Sequence, residues 1–201
     1  MRRIDMLSSG AERASRRRRK RGSRCHLVLA SLFLAGSSAK ADEVNPFSYL
    51  SELRGGLLRH DAGIFSKSME GAWDANLEVL FTSPTILGTL GSPRPHLGTS
   101  IDFDGKTSQI YAGLTWDWDL TNKFFVELSA GGAFHNGNLD KSDPRRKDLG
   151  SHLEFRESAS IGYKVTANSR VLLTLDHISN AGLASYNGGM ENFGIRYGYR
   201  F

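Results

Sequence analysis

The chain has little cysteine, little proline and no apolar run long enough to cross a membrane as a helix. It contains one cysteine, Cys25, and five prolines in 201 residues. A lone cysteine makes no intrachain disulfide, and its place near the N-terminus leaves the rest of the chain without a thiol nucleophile. The apolar stretch at residues 27–35 (LVLASLFLA) falls well short of the ~20 residues a spanning helix needs. A glycine loop of the kind that cradles phosphates is missing, which removes the dinucleotide-binding reading.

A basic domain surface is missing too, although the formal net charge is +5. Eleven of the 26 Lys and Arg precede Asp42, leaving 15 basic against 19 acidic residues from there on, a net charge of about −4. The basicity belongs to the N-terminus, so nucleic acid is not expected as a partner. A basic region, the apolar stretch and the small-x-small triplet Ala39-Lys40-Ala41 together read as a secretory signal, residues 1–41, cleaved after Ala41. The alternative is a retained helical anchor. Residues 42–201, about 160 in number, form one domain's worth of chain.

What that domain does contain is alternation of period 2. Ile110, Ala112, Leu114, Trp116 and Trp118 alternate with Gln109, Tyr111, Gly113, Thr115 and Asp117. Similar runs cover residues 96–103, 126–134 and 153–163. Two further runs close the chain: Val171, Leu173, Leu175, His177 and Ser179 share one face, as do Glu191, Phe193, Ile195, Tyr197, Tyr199 and Phe201. Weaker runs at 51–60 and 72–81 bring the expected count to about eight strands.

A soluble β-sandwich also alternates. Three features favour a transmembrane barrel instead. The polar faces mix Gly, Ser, Arg and Glu, as a small barrel's hydrogen-bonded interior does. Aromatics gather at strand ends, where membrane interfaces lie. The chain ends on an aromatic strand, Tyr199-Arg200-Phe201, and an open sheet edge is not viable in lipid. The expected fold is an all-β, eight-stranded antiparallel barrel. Tight connections near 120–123 and 166–169, against a long polar one at 136–150, put the latter outside the cell. Residues 82–95 are long for a periplasmic turn and have no account at this level.

The chemistry-bearing segment is Asp176 to Glu191, DHISNAGLASYNGGME. His177 and Ser179 stand two apart on a strand, so both side chains point one way. An imidazole beside a hydroxyl activates serine as a nucleophile. A hairpin brings Glu191 across from His177, where a carboxylate selects the imidazole tautomer and stabilises the imidazolium. All three continue apolar series, which puts them on the lipid-facing wall. Polar groups are costly there and call for a function. Taken singly, each residue is equally a turn or interfacial residue; together on one face they read as a site.

His177-Ile178-Ser179-Asn180-Ala181-Gly182-Leu183, followed by Asn187, Gly188 and Glu191, resembles the signature of the outer-membrane lipid A 3-O-deacylases (PagL-like). The His-x-Ser spacing and the twelve-residue step from Ser179 to Glu191 both match, within about the last 30 residues. The resemblance implies Ser179 as nucleophile, His177 as general base and Glu191 as its orienter. It implies an oxyanion or supporting role for Asn180 and Asn187, and a backbone donor at Gly182. It implies hydrolysis of the ester-linked 3-hydroxyacyl chain of lipid A in the outer leaflet of the outer membrane, with lipopolysaccharide as substrate, no cofactor and no metal. Oligomeric state is open, a homodimer included. His60, His96, His135 and His152 look scattered, without a metal-ligating pattern. The competing readings are an outer-membrane phospholipase A, whose histidine is oriented by asparagine in a larger barrel, and a non-enzymatic small barrel.

Overall fold

A computed structural model describes residues 46–201; the signal expected over residues 1–41 lies outside them. After a 3-10 turn (Pro46–Tyr49) come eight strands: β1 (Leu50–His60), β2 (Ala72–Phe81), β3 (Arg94–Asp102), β4 (Gln109–Asp119), β5 (Phe124–His135), β6 (Leu153–Lys164), β7 (Ser169–Ser179) and β8 (Met190–Arg200). Each pairs antiparallel with the next, and β8 pairs back with β1 to close the barrel. Closure leaves no strand edge unpaired, which is what lets a sheet sit in hydrocarbon.

The alternation is inside out relative to a soluble protein. Leu57, Ile110, Leu128, Ile161 and Ile195 are all more than half exposed. The partners between them are buried and charged: Arg54, Arg156 and Arg196 are each no more than 1% exposed. Buried charge is tolerable only when paired and hydrogen-bonded, and the interior obliges. Arg54 donates to Glu52 (2.7 Å), Glu78 (3.0 Å) and both oxygens of Glu127. Arg196 donates to Glu78 (3.0 Å) and Thr174 (3.0 Å). Arg156 pairs with Asp176 (3.2 Å) and lies 3.7 Å over the Tyr111 ring, a cation–π contact. The exposed apolar side chains of the strands all lie on the outer wall, so lipid is the medium that suits it.

The two rims differ. One carries the tight turns 120–123 and 165–168, the other the loops 61–71, 103–108, 136–152 and 180–189. The segment 82–93, at the tight-turn rim, contains a 3-10 helix, Thr85–Leu90, closed by Gly91 in the left-handed region (φ 83°). Trp116 Nε1 donates to the Leu90 carbonyl (2.8 Å), tying the helix to β4. Ile86 and Leu90 remain exposed. This is an apolar turn lying at the rim, a place for interfacial contact rather than a plain hairpin, and it accounts for the length of the segment.

Candidate active site

His177 lies near the end of β7 and Glu191 near the start of β8, and the hairpin register pairs them directly. His177 Nδ1 is 3.0 Å from Glu191 Oε1. The carboxylate accepts a hydrogen bond from Nδ1–H, which leaves Nε2 as the basic nitrogen. Ser179 follows two residues on, part-exposed on the same wall and paired with Phe155 of β6. Its hydroxyl makes no hydrogen bond to the imidazole; contacts of this kind often tighten only when substrate is bound.

Glu191 shares the outer face with Phe193 and Ile195, yet it is fully buried. The cover is the β1–β2 loop. Ser66 donates to Glu191 Oε2 from its hydroxyl (2.8 Å) and its amide (3.3 Å). Lys147, from the β5–β6 loop, donates to Ser66 Oγ (2.7 Å) and lies 3.3 Å from Asp61. Since Ser66 Oγ accepts from an ammonium, its own proton goes to Glu191. A carboxylate on a lipid-facing wall therefore has donors on both oxygens and is screened from lipid.

Local chemistry explains the loop's shape. Asp61, with φ 45°, accepts from the amides of Met69 and Glu70 at Oδ2 (2.5 and 2.9 Å), drawing the two ends together. Its own amide donates to Asn192 Oδ1 (3.1 Å), and the Ala62 amide to the Glu191 carbonyl (2.6 Å). Burial by itself would raise the Glu70 carboxyl. Hydrogen bonds from His60, the Lys147 amide and Thr107, with Arg146 nearby, instead hold it at about 2.

Asn180 and Asn187 organise the β7–β8 loop. Asn180 Nδ2 donates to the carbonyls of Leu149 and Tyr186 (both 2.7 Å), and its amide donates to Asn187 Oδ1 (3.0 Å). The Gly182 amide donates to Asn180 Oδ1 (2.9 Å), so it is engaged within the loop rather than aimed at Ser179. Gly150, at φ 85°, is required by close packing: a Cβ there would sit 1.9 Å from the Tyr186 carbonyl oxygen. Gly189 (φ 57°) backs onto the imidazole, where a Cβ would stand 3.3 Å from His177 Cε1.

An apolar groove of about 570 Å³ runs along the outer wall from His177, lined by Phe65, Trp116, Trp118, Leu128, Ala159 and Leu175 among others. It continues through Trp118, Leu128, Ala159 and Leu175 into a second hollow of about 440 Å³. A third, of about 500 Å³, lies at the loop rim beside Phe155, Asn180 and Leu183. His177 thus stands at the edge of hollows of a size to hold hydrocarbon chains.

The model of the family "Lipid A 3-O-deacylase (PagL)" matches residues 94–200. The chain belongs to this family. Its resemblance extends to the lipid A deacylase PagL of Bordetella bronchiseptica, 28% identical over 113 residues, which are 53% of this chain and 61% of that protein. The match thus spans less than two thirds of the relative. Among solved structures, the outer membrane enzyme PagL superposes with a TM-score of 0.56 at 17% identity, covering 75% of this chain and 100% of the other. Neisserial surface protein A superposes with a TM-score of 0.51 at 9% identity, over 77% of this chain and 97% of the other. At such identities the likeness is one of fold: small outer-membrane barrels share this architecture, and the family membership rests on the sequence match.

Ser66 and Lys147 carry no signal of their own in the sequence, because only the folding of two loops brings them to Glu191. Glu157, directly across from His177 in the register, also lines the groove. Of the other histidines, His60 groups with Asp74 and Asp102, a donor atom from each lying within 4.8 Å of the others. Strand pairing between distant residues is what makes the group.

Proposed function

We propose that the protein is a lipid A 3-O-deacylase of the outer membrane, working on the outer-leaflet side of the barrel wall with Ser179 as nucleophile, His177 as general base and Glu191 as its orienter. The carrying observation is the 3.0 Å pair between His177 Nδ1 and Glu191, with Ser179 two residues on and an apolar groove beside them. The signal expected at residues 1–41 would direct the chain through the inner membrane.

The reaction follows from this arrangement. The Ser179 hydroxyl adds to the ester carbonyl carbon at the 3-position of the glucosamine, and its proton passes to His177 Nε2. The bond from the carbonyl carbon to the sugar oxygen breaks as Nε2 returns the proton to that oxygen. Water then attacks the acyl-serine, its proton going through Nε2 back to Ser179, and the free 3-hydroxy fatty acid leaves. Glu191 stabilises the imidazolium at both stages. The acyl chain has the groove to lie in, so the substrate need not leave its bilayer. Asn180 and Asn187 hold the β7–β8 loop in place around the nucleophile.

Phospholipid hydrolysis of the asparagine-oriented kind is disfavoured by a specific contact. Asn192 faces the interior and accepts from the Asp61 amide, whereas Glu191 meets the imidazole. The test is mass spectrometry of lipid A from a Gram-negative host expressing the full chain, beside a Ser179→Ala control. Loss of one 3-hydroxyacyl mass with the wild type alone is the expected result. Unchanged lipid A, with the barrel folded in the outer membrane, overturns the reading.

A further inference from the structure

A group of side chains inside the barrel mouth takes no part in the proposed hydrolysis. His60 ends β1, Asp74 lies in β2 and Asp102 ends β3, and the two aspartates face each other in the strand register. His60 and Asp74 are fully buried and Asp102 is 5% exposed. His60 Nδ1 is 3.0 Å from Asp74 Oδ1 and 4.0 Å from Asp102 Oδ2. Asp102 commits its other oxygen to the amides of Asp104 (2.9 Å) and Lys106 (2.6 Å), so its carboxylate is held with Oδ2 turned into the group. His60 Nδ1 hydrogen-bonds the other oxygen of Asp74, Oδ2 (3.2 Å), which leaves Asp74 Oδ1 and Asp102 Oδ2 as the two buried oxygens without a hydrogen bond of their own.

The charges here do not balance. The neighbouring carboxylates have their own cations: Asp61 has Lys147, Glu70 has Arg146 and Asp176 has Arg156. Among the described residues, Asp74 and Asp102 have only His60 within ion-pair distance. Two buried carboxylates against one imidazole leave a net negative charge even when the ring is protonated, and uncompensated buried charge is costly. A divalent cation that takes the place of the ring proton on Nδ1 neutralises both. The other ring nitrogen, Nε2, faces Glu70 Oε2 at 3.3 Å. A carboxylate behind the second nitrogen is the outer partner that orients metal-bound imidazoles.

We propose that His60, Asp74 and Asp102 form a site for a divalent transition cation of the zinc type. Two metal–ligand bonds of about 2.0–2.2 Å span the 3.0 and 4.0 Å that separate His60 Nδ1 from the two carboxylate oxygens. One imidazole with two carboxylates suits zinc or manganese, whereas calcium and magnesium favour all-oxygen surroundings. The cation pins the mouths of β1, β2 and β3 together. Through Glu70 it also secures the loop that carries Ser66. Its role is structural and does not depend on the ester hydrolysis.

The test uses the full chain folded in detergent micelles and stripped of metal with EDTA. It is titrated with ZnCl2 by calorimetry and melted with and without the ion, with CaCl2 as comparison. One zinc binds per chain, and at 100 times the Kd the folding equilibrium shifts about 100-fold, seen as a higher Tm. His60→Gln, Asp74→Asn and Asp102→Asn lose the binding, while His177→Gln, which removes the imidazole on the outer wall, keeps it. The zinc K-edge spectrum of the loaded wild type needs no variant; it shows one imidazole among oxygen ligands. No zinc uptake, undiminished uptake in the variants that fold, loss in His177→Gln, preference for CaCl2, or a sulfur ligand in the spectrum would each overturn the proposal.

Discussion

Replacing Glu191 by glutamine tests the site at the point where the fold constrains it most. The substitution keeps size and changes two things. It removes the negative charge beside an imidazole that becomes cationic during reaction. It also makes one end of the side chain a donor. Ser66 presents two donors to Oε2, at 2.8 and 3.3 Å, and Lys147 occupies the serine's acceptor side, so Ser66 cannot reverse its polarity. The introduced amide therefore turns its oxygen to Ser66 and its NH2 to His177 Nδ1. That selects the imidazole with its proton on Nε2, which cannot accept one from Ser179. Unit charges about 4 Å apart interact by about 4 kcal/mol at an effective dielectric constant of 20. The misdirected amide adds about 1 kcal/mol, on the scale of one net hydrogen bond. The sum of about 5 kcal/mol corresponds to a fall in kcat of roughly 10³–10⁴-fold. Release of 3-hydroxy fatty acid from lipid A in mixed micelles measures it. Adding Ser66→Ala to Glu191→Gln removes the shorter of the two hydrogen bonds that hold the amide oxygen, the backbone amide of residue 66 remaining, and recovers about fivefold, the equivalent of about 1 kcal/mol. Activity of Glu191→Gln within about tenfold of wild type, or a double variant no faster than the single one, would refute the reasoning.

Three other outcomes are expected. Ser179→Ala lowers hydrolysis by about 10³-fold or more while leaving the melting curve of the barrel unchanged, since Ser179 is the part-exposed last residue of β7; folded protein with residual turnover near wild type would exclude Ser179 as nucleophile. Ala159→Phe fills the junction between the two hollows on the outer wall, so kcat/KM for a long acyl ester falls about tenfold relative to a short one, as paired substrate assays would show. Arg54→Met leaves Glu52, Glu78 and Glu127 short of their shared cation inside the barrel and destabilises it by about 3–5 kcal/mol, read as a lower denaturant midpoint.

Much of the fold was legible because a membrane barrel is patterned locally. Ile110, Leu128 and Ile195 had to face lipid and Arg156 and Arg196 the interior, and a strand's period of two turns that need into visible alternation. The His177 and Ser179 pair was legible for the same reason, being neighbours on one face of one strand. Glu191 followed from a hairpin of ordinary kind, and the register does pair it with His177. Residues 82–95 were not legible, because their length is explained by a 3-10 turn held to Trp116, a contact with a different strand.

By itself, then, the sequence determined strand number, the inward and outward faces, and the residues of the proposed triad, since each depends on spacing within a strand or between adjacent ones. Tertiary structure decided what surrounds them. Ser66 and Lys147 reach Glu191 only because loops far apart in the chain fold over the same rim, and His60 meets Asp102 only across two strand pairings. The loop contacts to Glu191 depend on pairing β8 with β1 and the His60 group on stacking three strands in register, so no local pattern of residues announces them.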